Sequence, residues 1–187
     1  MPSPYNKTEL DELSYEDYDG GQQPAVWQEG DWSYSWYANG MLQEIRRPDG
    51  ELIRFEYDAL GRRTAKIAAK QITRYIWDGN VLLHEWQYAL ADRPGVAVDE
   101  SGGLKADPEP IDIESLITWI YEPGSFTPVA KLVGSERYSI ISNYLGTPVQ
   151  AFDDAGEKVW QRELDIYGAV REGSNDFVPF TYPGQYY

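Results

Sequence analysis

A turn glycine recurs about every ten residues, and that rhythm limits what this chain can fold into. Trp32–Tyr37 runs into Ala38-Asn39-Gly40, and Met41–Arg46 into Pro48-Asp49-Gly50. Glu51–Tyr57 runs into Asp58-Ala59-Leu60-Gly61, and Arg62–Ile67 follows. Asn-Gly is a strong hairpin signal, while Pro fixes φ early in a turn and Gly accepts a positive φ late in it. Between the turns the side chains alternate. Ile53, Phe55 and Tyr57 share one parity and Arg54 and Glu56 the other, the period of two that a half-buried strand requires. Short alternating runs at this spacing predict an antiparallel meander.

The pattern continues downstream. Thr73–Trp77 and Val81–Tyr88 flank Asp78-Gly79-Asn80, and Val129–Val133 and Arg137–Ile141 flank Gly134-Ser135-Glu136. Val149–Phe152 and Lys158–Ile166 flank Asp153-Asp154-Ala155-Gly156. About ten strands of ordinary length result. The aromatic content supports them, since 15 Tyr, 7 Trp and 5 Phe suit pleated surfaces. The expected class is all-β, with much less helix than the roughly one-third of an average globular protein.

The charge is uneven. The chain carries 16 Lys and Arg against 31 Asp and Glu, a formal net charge of −15. Residues 1–30 hold seven acids and one base, and residues 92–114 seven acids and two bases. The remainder is nearly balanced. Clustered positive charge is what nucleic acids and anionic membrane surfaces need, so neither is an expected partner. No apolar run is long enough to span a bilayer, and Met1-Pro2-Ser3-Pro4-Tyr5 does not open a signal peptide. Four regions are therefore expected. Residues 1–30 form an acidic segment, flexible or offering Tyr15, Tyr18 and Trp27 to a sheet edge, and residues 31–88 form a hairpin block. Residues 89–114 form an acidic exposed loop rich in chain breakers, and residues 115–187 a second hairpin block.

The most informative stretch is Phe55-Glu56-Tyr57-Asp58-Ala59-Leu60-Gly61-Arg62-Arg63. It is a strand ending in Tyr57, an Asp58 placed to accept turn amides, a Gly61 for the left-handed position, and Arg62 opening the return strand. It resembles the YD repeat of the Rhs proteins, the related insecticidal-toxin shells and the teneurins. Arg47-Pro48-Asp49-Gly50, Trp77-Asp78-Gly79, Tyr121-Glu122-Pro123-Gly124-Ser125-Phe126-Thr127-Pro128 and Tyr144-Leu145-Gly146-Thr147-Pro148 resemble further Rhs motifs. So does Pro179-Phe180-Thr181-Tyr182-Pro183-Gly184-Gln185-Tyr186-Tyr187. The likeness covers about residues 31–187 and implies a meander of antiparallel hairpins forming a curved sheet, part of a cocoon-like shell. It implies the C-terminal stretch of the Rhs core, which in the family is followed by a self-cleavage site and a toxin. Neither activity is expected of these residues. Relatives often carry Asp-His before Leu-Gly-Thr-Pro; Asn143-Tyr144 stands here, so no role of that His carries over.

Candidate chemical sites are few. His84, the only histidine, sits beside Leu82 and Trp86 in parity with no nucleophile or carboxylate nominated nearby, and reads as a structural residue. Asp153 and Asp154 precede Ala155-Gly156, which favours turn chemistry over acid–base chemistry. Exposed aromatic stripes sometimes stack on sugars, but in a chain with this many strands they more often pack the wall. No nucleophile elbow, phosphate loop or metal-ligand cluster is present in the sequence. The expectation is a non-enzymatic structural chain without catalytic, metal or cofactor residues. Its distinguishing positions are the structural Tyr57, Asp58, Gly61 and Arg62. The expected partners are proteins: a toxin cargo, another Rhs chain, or a second copy joined through open strand edges. The expected location is the cytoplasm of the producing bacterium, followed by export through a specialised secretion system. A free-standing Rhs fragment that binds a toxin or another Rhs chain is the alternative.

Overall fold

The computed structural model describes residues 26–98 and 100–186. Twelve strands form one antiparallel sheet: β1 Ser33–Trp36, β2 Leu42–Arg46, β3 Leu52–Tyr57, β4 Arg63–Ala68, β5 Gln71–Asp78, β6 Val81–Ala89, β9 Ile117–Tyr121, β10 Pro128–Val133, β11 Glu136–Ser142, β12 Pro148–Phe152, β13 Lys158–Leu164 and β14 Val170–Gly173. Each strand pairs with its neighbours in chain order, so the sheet is an unbroken meander with β1 and β14 at its edges. Between β6 and β9 the chain leaves the sheet. It makes one turn of 3-10 helix, Leu90–Asp92, and a separate two-stranded hairpin of β7 Val96–Val98 and β8 Leu104–Ala106.

The all-β expectation holds, and turns fall at Asn39-Gly40, Asp49-Gly50, Ala59–Gly61, Gly79-Asn80 and Asp154-Ala155. The strand count was too low. β9 follows the acidic excursion without a turn signal in front of it, and β14 (Val-Arg-Glu-Gly) is short and charged. The excursion itself is not featureless, because β7 and β8 lie inside it. The early acidic segment lies largely outside the described residues, Tyr15 and Tyr18 included. Trp27 is described and joins no strand. Its indole stacks under the Arg46 guanidinium, 4.6 Å from the ring centroid, and its Nε1 donates to Asp31 O at 2.8 Å.

Register divides the side chains between two faces, because directly paired residues point the same way. Tyr75 opposite Glu85, Lys131 opposite Trp119 and Tyr138, and Ala151 opposite Ile140 and Trp160 define one face. Arg74 opposite Trp86 and Ala65, and Ile72 opposite Tyr88 and Ile67, define the other. A single sheet has no second sheet to bury its apolar side chains, so the connecting segments must do so. On the first face the tail, residues 174–186, lays Val178, Phe180 and Tyr186 over Tyr75, Leu82, Trp119, Ile140, Ala151 and Trp160. On the second face, Leu116 and the segment before it cover Ala65, Ile72, Trp86 and Tyr88. Trp86 Nε1 donates to Pro110 O at 3.1 Å, and Arg74 pairs with Glu109.

Candidate functional site

The predicted motif residues form one turn. Asp58 Oδ1 accepts the amides of Leu60 and Arg62, both at 2.9 Å, and Asp58 N donates to Arg62 O at 3.0 Å. Gly61 sits at φ +82°, a conformation that costs a side-chain-bearing residue energy. The Arg62 guanidinium grips Asp58 Oδ2 through Nε at 2.7 Å and reaches the next turn, where Nη1 donates to Gly79 O at 2.7 Å. Tyr57 meets Tyr37 edge to face, with centroids 6.3 Å apart. The backbone amide and guanidinium of Arg62 hold the Asp58 carboxyl below its usual range. The motif is therefore a stitch between successive hairpins.

The same turn recurs. Asn143 Oδ1 accepts from Leu145 N and Thr147 N, Asp153 Oδ1 from Ala155 N and Glu157 N, and Asp165 Oδ1 from Tyr167 N and Ala169 N. Each has glycine at the fourth position with positive φ: Gly146, Gly156 and Gly168. Asp153 is thus consumed by turn chemistry, and Asn143 accepts the same two amides as the aspartates. His84 Nδ1 lies 2.8 Å from Thr118 Oγ1 across the β6–β9 pair, which joins the two halves of the sheet.

The polar site that sequence reading missed lies beneath the tail. Arg162 on β13 is 2% exposed, and among the described residues it has no ion-pair partner. Its Nη1 donates to Asn175 Oδ1 at 2.6 Å and Val178 O at 3.1 Å; its Nη2 donates to Pro148 O at 3.1 Å and Phe180 O at 2.5 Å. Burial pulls its pKa down from 12.5 to about 10. Lys131, also buried, donates to Phe177 O at 2.9 Å and packs over the Phe177 ring, and burial lowers its pKa. Glu85 is buried opposite, accepting from Trp119 Nε1 at 3.1 Å and from the Tyr186 hydroxyl. Burial pushes its carboxyl up. Trp160 Nε1 donates to Ser174 O at 3.0 Å, and the Tyr182 hydroxyl to Asp165 O at 3.0 Å. The sheet's donors thus seize tail carbonyls from Ser174 to Phe180. Single charged residues on alternating strands look like ordinary solvent-facing positions, so periodicity gave no signal of this clasp.

Among the described residues, no group of His, Cys, Asp or Glu could hold a metal ion. No described helix is long and apolar enough to cross a membrane. What the described residues provide is a long hairpin wall, stitched at its turns, strapped on both faces and with no further strand paired at either edge.

Comparison with known proteins agrees with this class. A model described as RHS Repeat matches residues 36–73, the β1–β5 region that holds the Tyr57–Arg62 stitch. The toxin protein Tse5 of Pseudomonas aeruginosa is 30% identical over 167 residues, which cover 81% of the chain and 12% of Tse5. The probable deoxyribonuclease RhsB of Dickeya dadantii is 37% identical over 62 residues, 32% of the chain and 4% of that protein. Among solved structures, the TcdB2-TccC3-TEV crystal structure shares the fold with a TM-score of 0.51 at 15% identity, covering 83% of the chain and 8% of its own. The Photorhabdus luminescens Tc holotoxin pore gives 0.50 at 16% identity, covering 76% and 7%. The chain belongs to the Rhs (YD-repeat) family, and it spans only a small part of the relatives it matches.

Proposed function

We propose that this chain is wall: a stretch of an Rhs-type shell that encloses or carries a toxin. The observation that carries the reading is the twelve-strand meander in which, among the described residues, no strand pairs with the outer side of β1 or β14, because open sheet edges invite continuation by another strand. The kinship with a toxin protein supports the cargo class. The role is steric, so it assigns no catalytic step to any residue. It places the chain first in the cytoplasm of the producing bacterium and then in the path of a specialised secretion system.

The test is to isolate the native gene product from its source bacterium, digest it with protease while folded, and repeat the digestion after denaturation. Enclosure expects a cargo polypeptide that resists until the wall is unfolded. A native product of 21.4 kDa with no shielded cargo would overturn it. That result would favour a second reading, a free-standing chain that binds a toxin or another Rhs chain through its edge. Edge strand β1 supports this reading: Tyr34 and Trp36 on it and Trp32 just before it are exposed, with Trp32 and Tyr34 stacked at 6.4 Å.

A further inference from the structure

Hairpin β7–β8 stands apart from the twelve-strand sheet, and among the described residues nothing covers its apolar face. Val96 pairs with Ala106 and Val98 with Leu104, so Val96, Val98 and Leu104 point the same way. All three are largely exposed, at 67%, 67% and 80%. An isolated two-stranded hairpin is marginal in water, and one whose apolar face is unburied lacks the packing that normally sustains it.

Both feet of this hairpin are nevertheless fastened to the same sheet face. On the entering side Arg93 Nη2 pairs with Glu56 at 2.7 Å, and Leu90 N donates to Lys70 O at 2.8 Å. On the leaving side Glu109 pairs with Arg74 and Pro110 O accepts from Trp86. Across the base, Asp107 N donates to Gly95 O at 3.2 Å. A protrusion anchored at both feet is pre-organised, which lowers the entropy cost of docking.

We infer that the β7–β8 hairpin is a docking element for a different protein, one that presents an apolar surface fringed by Lys and Arg. Charge selects that occupant. The hairpin and its base, residues 92–107, hold four acids against two bases, and one of those bases, Arg93, is already paired with Glu56, so a basic fringe is attracted on approach. A second copy, at net −15, brings the same acids to the contact and is repelled. The inference does not rest on the enclosing role, since a carried wall and a free-standing chain present the hairpin alike.

The test uses the full chain and two short synthetic peptides, one alternating leucine with lysine and one alternating leucine with glutamate. Binding is read by fluorescence anisotropy, and the site by hydrogen exchange. The expected result is binding of the lysine peptide with slowed exchange in 96–98 and 104–106, and none of the glutamate peptide. The double variant Val98→Ser, Leu104→Ser should weaken lysine-peptide binding about tenfold or more with thermal stability unchanged, because neither side chain touches the core. Equal binding to the double variant would mean general attraction of cations and would overturn the inference. So would protection elsewhere in the sheet, or equal binding of both peptides. Self-association abolished by the double variant, without peptide binding, would overturn it in favour of a second copy.

Discussion

Replacing Arg162 with methionine keeps the stem that lies beneath the tail and removes the guanidinium. The carbonyls of Pro148, Val178 and Phe180 each lose a donor. A buried acceptor left unsatisfied costs roughly 1–3 kcal/mol, or about 3–9 kcal/mol for three. Against this, the variant no longer buries a charge. The fall of the Arg162 pKa from 12.5 to about 10 corresponds to roughly 3 kcal/mol of desolvation relieved at 1.36 kcal/mol per pH unit. Tail carbonyls can also turn toward water once released, so the low end of the loss applies to them. With about 1 kcal/mol for each tail carbonyl and about 1–3 for Pro148 O, the loss exceeds the relief by at most about 2 kcal/mol, a fall in melting temperature of no more than roughly 4–8 °C for a chain of this size. The loss should be local first. Hydrogen exchange in residues 174–186 should quicken in Arg162→Met while strands β2–β5 keep their protection. Arg162→Lys should behave like Met, since one ammonium cannot span carbonyls on both sides of the fork. Unchanged tail protection in both variants, with a melting shift below about 0.5 kcal/mol equivalent, would show that apolar packing alone holds the tail.

Other outcomes follow from the same geometry. Gly61→Val should cost about 1–3 kcal/mol, because Gly61 sits at φ +82° and a Cβ there meets Met41 Cε at 3.3 Å; unchanged denaturant stability would mean the turn relaxes freely. Burial raises the Glu85 pKa, so the folded state holds that proton more tightly than the unfolded chain. Glu85 therefore makes stability fall as pH rises from its ordinary 4.5 through its folded value. Glu85→Gln should flatten that part of a stability–pH curve, and an unaltered slope would place the titration elsewhere. The lowered Asp58 acts in a separate window, with its stabilisation lost as pH falls from 3.8 through the folded value. Trypsin should cut after exposed Lys105 before it cuts after Arg62 or Arg63, which mass spectrometry of early fragments can check; first cleavage in the Asp58–Arg62 turn would contradict the stitch.

What the sequence disclosed and what it concealed divide along one physical line. Turns are local, so Asp58 with Gly61, or Asp153 with Gly156, could be read from neighbouring residues alone, and the meander followed from their spacing. The tail clasp is non-local: Arg162 meets Phe180, Lys131 meets Phe177 and Glu85 meets Tyr186 across 18, 46 and 101 residues. No period or turn rule connects such pairs. Charged residues within an alternating strand are normally placed on the wet face, and here Glu85, Lys131 and Arg162 occupy the face that the tail seals. The resemblance of Pro179–Tyr187 to a family motif marked that stretch as meaningful without telling what it packs against. β14 and the β7–β8 hairpin escaped notice for the opposite reason, since they are short and bury little, so their strand state comes from pairing and not from an amphipathic pattern.

A single sheet stabilised by straps has consequences that a two-layer fold does not. The tail covers one face from β5 to β13, and the excursion covers the other face around β4 to β6. The second face is therefore open over the later strands, and there Ile120 and Ile141 are 43% and 48% exposed. β1 is exposed along its whole length, with three large aromatic side chains in or beside it and, among the described residues, no strand on its outer main-chain edge. A chain selected to stand alone would blunt such an edge with lysine, proline or a covering loop, yet Ser33-Tyr34-Ser35-Trp36 carries no charge at all. Serine and aromatic residues make good strand partners, and uncharged edges do not discriminate against pairing. Replacing Tyr34 with Lys should therefore reduce association measured by light scattering at micromolar concentration while leaving the melting temperature within a few degrees, because Tyr34 contributes little to either buried cluster. If the unaltered chain is a monomer at every concentration tested, the bare edge is tolerated without a partner, and the case for a continued wall loses its main structural support.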